Sequence, residues 1–336
     1  MCGAALRDVA RPGLRKSVLA NRRREHGSAA SHAAGRFTGR NDAETMEALR
    51  ATLPAAYAAS FEQFSPVWRA VCEAALAGAA VGGEPSTILD LASAHGEPAC
   101  SLAQRFPTAE VVASDNELSM VAAAMERGRR LGLGGRFSAQ EADLNAIASL
   151  TALPPDETGV DLVSASLALH MLPPEAIPGC LGGIHALLRP GGRLVAAVWE
   201  DELAILPLGH ACLAEVLGRP LESLPPLEPH TPLSLAAGRA DALLRDAGFQ
   251  PGPQHNTLLS FSLNLGPAGA DSTWMLGLMP CLGALSNLAD AGGGGGGVFD
   301  RAREAFERRA AVNGDGDVVV GPMRVRMLAV VKPGAG

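Results

Sequence analysis

Residues 88–98 read Ile88-Leu89-Asp90-Leu91-Ala92-Ser93-Ala94-His95-Gly96-Glu97-Pro98. Thr87–Leu91, apolar but for Thr87 and Asp90, predicts a short buried strand. The small residues Ala92, Ser93, Ala94 and Gly96 predict a tight turn, and Pro98 suits the first turn of a helix. Such a turn lets a ligand approach backbone N–H groups at a helix N-terminus. Read alone, it is equally an ordinary connection between a strand and a helix.

Outward from this stretch the chain alternates. Val111–Ser114, Gly135–Ala139, Val160–Ala165 and Arg193–Trp199 predict strands, while Glu97–Phe106, Glu117–Leu131 and Glu175–Leu188 predict helices. Asn145–Ala152 carries a weaker signal, for a short helical turn only. Apolar strands without alternation, separated by helices, imply an α/β fold with a parallel sheet covered on both faces. Further on, Gly238–Ala247 predicts a helix ending at Gly248, and Thr257–Leu265 and Val318–Val331 predict strands. Between those strands lie expected helices at Asp271–Leu288 and Phe299–Val312, with a flexible run of glycines at Gly292–Gly297.

A second acid strengthens the ligand reading. Val111–Asp115 is an apolar strand ending in a carboxylate, 19 residues beyond Gly96. A carboxylate there can accept both ribose hydroxyls of an adenosine, each charged hydrogen bond contributing about 1.5–3 kcal/mol. The competing role is a helix cap, because Asn116-Glu117 opens the next helix. Together the turn and the acid favour a nucleoside. A dinucleotide wants three glycines as GxGxxG, and this turn offers only Gly96. The other common alternative is S-adenosylmethionine.

Residues 86–334 resemble a class I S-adenosylmethionine-dependent methyltransferase of the UbiE-like small-molecule group. Ile88–Gly96 is similar to the family's first motif, with Asp90 as its acid and Gly96 as its last glycine; Asp115 matches the ribose-binding acid, followed by Asn116. Ala142-Asp143-Leu144 resembles the segment that contacts adenine, and Asp161–His170 the fourth-strand motif, which includes Ser164. Leu187–Trp199, reading Leu-Leu-Arg-Pro-Gly-Gly-Arg-Leu-Val-Ala-Ala-Val-Trp, resembles the turn into the fifth strand. Leu243–Phe249 and the closing Met327–Pro333 continue the likeness. The resemblance implies a Rossmann-like methyltransferase fold: a mainly parallel seven-stranded sheet, helices on both faces, and helical covering segments. It also implies S-adenosyl-L-methionine as cofactor, held by Asp90, Ala92, Ala94, Gly96, Asp115, Asn116, Asp143, Leu144 and Ser164.

The chain departs from that pattern at Ala92 and Ala94, where the family usually has glycine. Alanine is tolerated at negative φ and costs about 1 kcal/mol or more at positive φ. The expected activity is in-line methyl transfer to a small-molecule acceptor, partly apolar in character. A catalytically silent binding or assembly protein on the same fold is the alternative, and a dinucleotide-dependent oxidoreductase ranks behind both. His170, just after the fourth strand, is the first candidate for a catalytic base, with packing or capping as its competing role. Glu200, Asp201 and His210 are weaker candidates. The covering segments expected to choose the acceptor carry Tyr57, Phe61 and Trp68, the 200–235 insertion, and Trp274–Leu285.

Composition sets the outer bounds. Of 336 residues, 47% are hydrophobic and 19% charged, which excludes mucin, collagen and disulfide mini-protein classes. The net charge of −7 divides unevenly: residues 1–40 hold nine basic residues against Asp8 and Glu25, so they carry +7 and the remainder −14. An acidic body lacks the basic face of a nucleic-acid protein. The expected organisation is a basic head at 1–42, a helical cover at 43–84, and the methyltransferase domain at 85–334 with insertions at 200–235 and 266–317. Within the cover, Ala43–Leu53 and Ala55–Ala80 have helical composition, and Pro66 should bend or restart the second. The head suits either a cytoplasmic extension or a mitochondrial or plastid address. Cys2, Cys72, Cys100, Cys180, Cys212 and Cys281 show no paired spacing and predict reduced thiols. The histidines show no metal-ligand spacing, and no apolar run is long enough to span a membrane.

Overall fold

A computed structural model of the chain describes residues 60–149, 159–200, 204–224, 238–290 and 297–334. The strands are β1 (Thr87–Leu91), β2 (Glu110–Asp115), β3 (Phe137–Glu141), β4 (Val160–Ser166), β5 (Leu188–Trp199), β6 (Gln250–Pro251), β7 (Thr257–Pro267) and β8 (Asp317–Val331). The helices are α1 (Ser65–Gly82), α2 (Ala99–Arg105), α3 (Leu118–Arg130), α4 (Ile177–Leu187), α5 (Ile205–Leu217), α6 (Arg239–Asp246), α7 (Asp271–Leu278), α8 (Leu282–Asp290) and α9 (Val298–Arg309). They divide into two compact units.

The larger unit, drawn from 61–203, 229–262 and 322–336, contains the sheet. Its strand order is β3-β2-β1-β4-β5-β8-β6, with β7 also paired to β8. The first five strands are parallel and β8 is antiparallel to β5. The two-residue β6 and the 11-residue β7 both pair with β8, and between them Gly252 and Asn256 N–H groups bond to the Ala329 and Met327 carbonyls. Among the described residues the sheet therefore has eight strands, one more than the seven expected, because β6 and β7 both pair with β8.

Burial explains why these segments form strands. All five residues of β1 are buried, and β4 is buried through Ala165. Leu89, Leu91, Val163, Leu194, Ala196 and Val198 pack with Leu181 and Ile184 of α4 and Leu244 of α6. On α1, Val67, Trp68, Val71, Ala74 and Ala75 make the buried stripe, and this helix packs on β4 and β5. Pro66 restarts rather than bends the chain: a short 3-10 turn at Glu62–Phe64 gives way to α1 there. Ala43–Leu53 and residues 55–59 lie outside the described residues.

Several boundaries differ from the sequence reading. The third strand begins at Phe137, because Gly134–Arg136 forms a 3-10 turn in place of the expected strand start. The weak 145–152 helix is a kinked 3-10 segment at Leu144–Ser149, and its end lies outside the described residues. The fifth strand extends back to Leu188: Val160 pairs with Leu188 but Leu162 with Arg193, so the Pro190-Gly191-Gly192 turn bulges out between two paired stretches. At the foot of β4, Asp161 accepts hydrogen bonds from Ser86 N (2.7 Å) and Thr87 N (2.9 Å), and forms an ion pair with Arg189. That carboxylate anchors the sheet at the end away from the crevice described below.

The second unit takes in the described parts of 204–228 and 263–321, overlapping the expected insertions. The helix expected over Asp271–Leu288 is broken into α7 and α8 by a 3-10 turn at Met279–Cys281, where Pro280 removes a backbone donor. Trp274, Leu278, Cys281, Leu285, Phe299 and Phe306 are buried within it. Trp274–Leu285 is thus core of its own unit. Glu215 of α5 pairs with Arg308 and Arg309 of α9. The 292–296 glycines and Tyr57 lie outside the described residues, and no described helix is long and apolar enough to cross a membrane.

Close packing of α3 on β3 depends on Gly128, whose added Cβ would stand 2.5 Å from Phe137 Cδ1. Alanine gains about 1 kcal/mol in helix propensity, but overpacking a buried ring costs about 1–3 kcal/mol. Gly128→Ala is expected to lower unfolding free energy by up to about 2 kcal/mol in urea denaturation. A stabilised variant would show that Phe137 yields freely.

Candidate functional site

A parallel sheet presents all its strand C-termini at one edge, and ligands bind there where the strand order reverses. Here that point is β1, flanked by β2 on one side and β4 on the other. The turn after β1, Asp115 at the end of β2, the segment after β3 and the residues after β4 all open onto this edge.

The turn is a tightly tied loop. Ser93 N–H reaches Ser114 O at 2.8 Å, and the Ser93 carbonyl accepts from Gly96 N (2.8 Å) and Glu97 N (3.1 Å). Three of its residues are left-handed: Ala92 at φ 53°, Ala94 at φ 47° and Gly96 at φ 90°. Gly96 is required twice over, since a Cβ there would meet Ala124 Cα at 3.0 Å as well as a disfavoured φ. The alanines therefore occupy the costly geometry. Leu167, directly after β4, is left-handed too, at φ 52°. Unusual backbone thus collects at the C-terminal ends of the two central strands.

The acids hold different stations. Asp115 is 9% exposed; Oδ2 accepts the Ala94 N–H and Oδ1 the Glu117 N–H, both at 3.0 Å. Burial raises its pKa above the usual carboxylate range, partly offset by those two donors. It ties the turn to the residue before the following helix without capping that helix, and each oxygen keeps lone-pair capacity beyond its one bond. Asn116 beside it is exposed. Asp143 is also exposed, its Oδ1 accepting from Asn145 N and Nδ2 at 2.9 Å, while Leu144 packs partly into the core.

Asp90 and Ser164 lie deeper than the sequence reading implied. Both are 0% exposed, so neither presents an oxygen to the crevice. Ser164 Oγ donates to Asp90 Oδ1 at 2.5 Å, and Ala99 N, at the start of α2, donates to Oδ2 at 3.1 Å. Burial pushes the Asp90 carboxyl up to about 8 against the pull of these donors. The pair supports the turn from beneath.

His170 sits in a 3-10 turn at Leu169–Met171, 2% exposed, its ring centroid 6.3 Å from that of Trp199. Phe61 packs on His95 of the turn at 4.8 Å and on Trp68 at 4.7 Å. Buried Glu97 is tied to Arg127, which also pairs with Glu62 at 2.7 Å and lies 5.8 Å over the Trp68 ring. Glu200 is bound through both oxygens to Arg326, which holds its pKa low and occupies it as a base. Asp201 lies outside the described residues, and His210 belongs to α5 of the other unit. The Glu62–Arg127–Glu97 cluster had no local signal, because its members are 30 or more residues apart in sequence. The described cysteines are all free and buried; burial raises Cys72 and Cys100 to about 12.

Residues 88–192 match the family described as a methyltransferase domain. The chain is 36% identical over 111 residues to demethylmenaquinone methyltransferase of Thermus thermophilus, covering 33% of this chain and 46% of that protein. It is 32% identical over 151 residues to trans-aconitate 2-methyltransferase of Variovorax paradoxus (41% and 54%). A third likeness, 30% over 135 residues, is to release factor glutamine methyltransferase of Moorella thermoacetica (35% and 48%). The chain spans about half the length of these relatives.

Two outcomes follow from this geometry. Ala92→Gly and Ala94→Gly each relieve a left-handed alanine costing about 1–2 kcal/mol, against an added chain entropy of about 0.5–1 kcal/mol. Each is expected to raise unfolding free energy by about 0.5–1 kcal/mol in urea; a loss would contradict the positive φ. Asp90, with its folded pKa raised, binds a proton in the native state that the unfolded chain releases near pH 4. Its contribution to stability therefore falls as pH rises from about 4 through about 8. Asp90→Asn, which keeps an acceptor for Ala99 and offers Ser164 a donor, is expected to flatten that part of a melting-temperature profile. An unchanged slope would place the proton elsewhere.

Proposed function

We propose that this chain, whose residues 88–192 form a class I S-adenosylmethionine-dependent methyltransferase domain, transfers a methyl group to a small-molecule acceptor by in-line displacement. The observation that carries the proposal is the convergence of a left-handed turn, a strand-end carboxylate and a second acid on the edge where the strand order reverses. The donor set fits an adenosyl ligand. Asp115 has lone pairs left for two ribose hydroxyls, Asn116 adjoins it, and Asp143 with Leu144 would flank an adenine. Ala92, Ala94 and Gly96 would offer backbone to the amino-acid portion, while Asp90 and Ser164 hold the turn in shape. When bound, S-adenosylmethionine supplies a methyl group on a sulfonium that departs as a neutral thioether.

The protein's part in such a transfer is mainly alignment and exclusion of water. His170, at the end of β4 and buried, is the side chain we assign to receive a proton from an acceptor that carries one. The half-buried Phe64 and Phe261 beside Trp199 support an acceptor with apolar surface. Two of the relatives are named for small acceptors, demethylmenaquinone and trans-aconitate, which supports the same class. The left-handed alanines favour one second reading, a domain that binds the adenosyl ligand without turnover.

Calorimetric titration with S-adenosylmethionine and S-adenosylhomocysteine tests the proposal, and absence of binding by both overturns it. Asp115→Ala is expected to weaken S-adenosylhomocysteine at least about tenfold, equivalent to about 1.4 kcal/mol. A folded variant with unchanged affinity would mean the ribose lies elsewhere.

A further inference from the structure

The guanidinium of Arg127, on α3, reaches groups on two other parts of the chain. Its Nε and one terminal nitrogen bond Glu97 Oε1 at 3.0 and 2.9 Å. The other terminal nitrogen donates to Glu62 Oε1 at 2.7 Å, and the guanidinium carbon lies 5.8 Å from the centroid of the Trp68 ring. Glu97 directly follows Gly96 of the β1 turn, Glu62 opens the 3-10 turn ahead of α1, and Trp68 is on α1. One side chain therefore joins the turn that opens onto the crevice to the segment whose Phe61 packs on it.

The two carboxylates play unequal parts. The Glu97 side chain is 4% exposed; its Oε2 accepts the Ser101 N–H at 3.1 Å, and its own N–H bonds the Ser93 carbonyl at 3.1 Å. A carboxylate so placed needs its cation, because removing one partner of a buried pair leaves an uncompensated charge. Relief then comes from moving Glu97 toward water, and the turn backbone bonded to it moves as well. The Glu62 side chain is 60% exposed, so its bond shifts an equilibrium by a few-fold at most. Its place in the chain gives that small effect a direction. Phe61, the preceding residue, packs on His95 of the turn at 4.8 Å and on Trp68 at 4.7 Å. The rigid fork of guanidinium donors serves both carboxylates at once, a task for which a lysine ammonium lacks the geometry.

We infer that Arg127 is a positioning residue for the donor turn: it holds Glu97 behind the turn and, through Glu62, keeps Phe61 seated on His95. The inference rests on the proposed function only for what the turn binds. The hold itself is a property of the chain without ligand.

Amide hydrogen exchange on the full chain, with no ligand added, reads that hold directly. Arg127→Met keeps an unbranched stem and removes the guanidinium. In this variant the Gly96 and Glu97 amides are expected to exchange at least about tenfold faster, while Leu89 of β1 and Val163 of β4 stay within about twofold. A uniform rise across turn and sheet would make Arg127 a general stabiliser, and no rise would mean it holds nothing; either overturns the inference. Where Arg127→Met folds poorly, Glu62→Gln carries the exchange test, with a rise of about threefold expected at the same two amides and no rise overturning it. In calorimetry, Glu62→Gln is expected to weaken S-adenosylhomocysteine about threefold while moving the melting midpoint by less than about 1 °C. Added to Arg127→Met, it is expected to cost less than about 1.5-fold more, since the partner is already gone. Equal losses in the two backgrounds overturn the inference. Failure of the unmutated chain to bind S-adenosylhomocysteine counts against the proposed function, while the exchange result still decides the role of Arg127.

Discussion

A carboxyl group buried at the centre of the sheet organises the site. Asp90 ties β1 to β4 through Ser164 and to the start of α2 through the Ala99 N–H, while its own carbonyl receives the Ser114 hydroxyl from β2 at 3.0 Å. One residue thereby links three adjacent strands and a helix immediately beneath the turn. A buried acid is tolerable only with such partners. Because each partner sits on a different element, satisfying the acid also sets where those elements end. The left-handed backbone at Ala92, Ala94 and Gly96 is the path left between a fixed strand end and a fixed helix start.

Much of the fold was legible because its signals are local. The strand at Thr87–Leu91 and the helix that became α3 follow from composition over a handful of residues, and Asp115 announces itself by ending an apolar run. Boundaries were harder where tertiary pairing overrode local preference. Arg189 through Gly192 look like a plain turn, yet Leu188 before them already pairs with Val160. The break between α7 and α8 was foreshadowed by Pro280 but outweighed by an apolar run on either side.

What the sequence did not reveal of the candidate site is the depth of its members. Asp90 and Ser164 carry the residue types of ligand contacts, and only their complete burial shows that they bond to each other. Conversely, nothing in the spacing of Phe64, Trp199 and Phe261 brings them together; they meet through the ends of three separate elements. The φ values at Ala92 and Ala94 could not be read from residue identity, since alanine is compatible with either sign at a price that only geometry reveals.

Burial of the thiols has a chemical consequence of its own. Burial pushes the thiols of Cys72 on α1 and Cys100 on α2 up to about 12, which strongly disfavours the thiolate near neutral pH. Nucleophilicity toward an alkylating sulfonium resides in the thiolate. Cys100, whose Sγ lies beside Gly96 of the turn, and Cys72 are thus quenched as nucleophiles by withheld ionisation, with the sulfur itself retained.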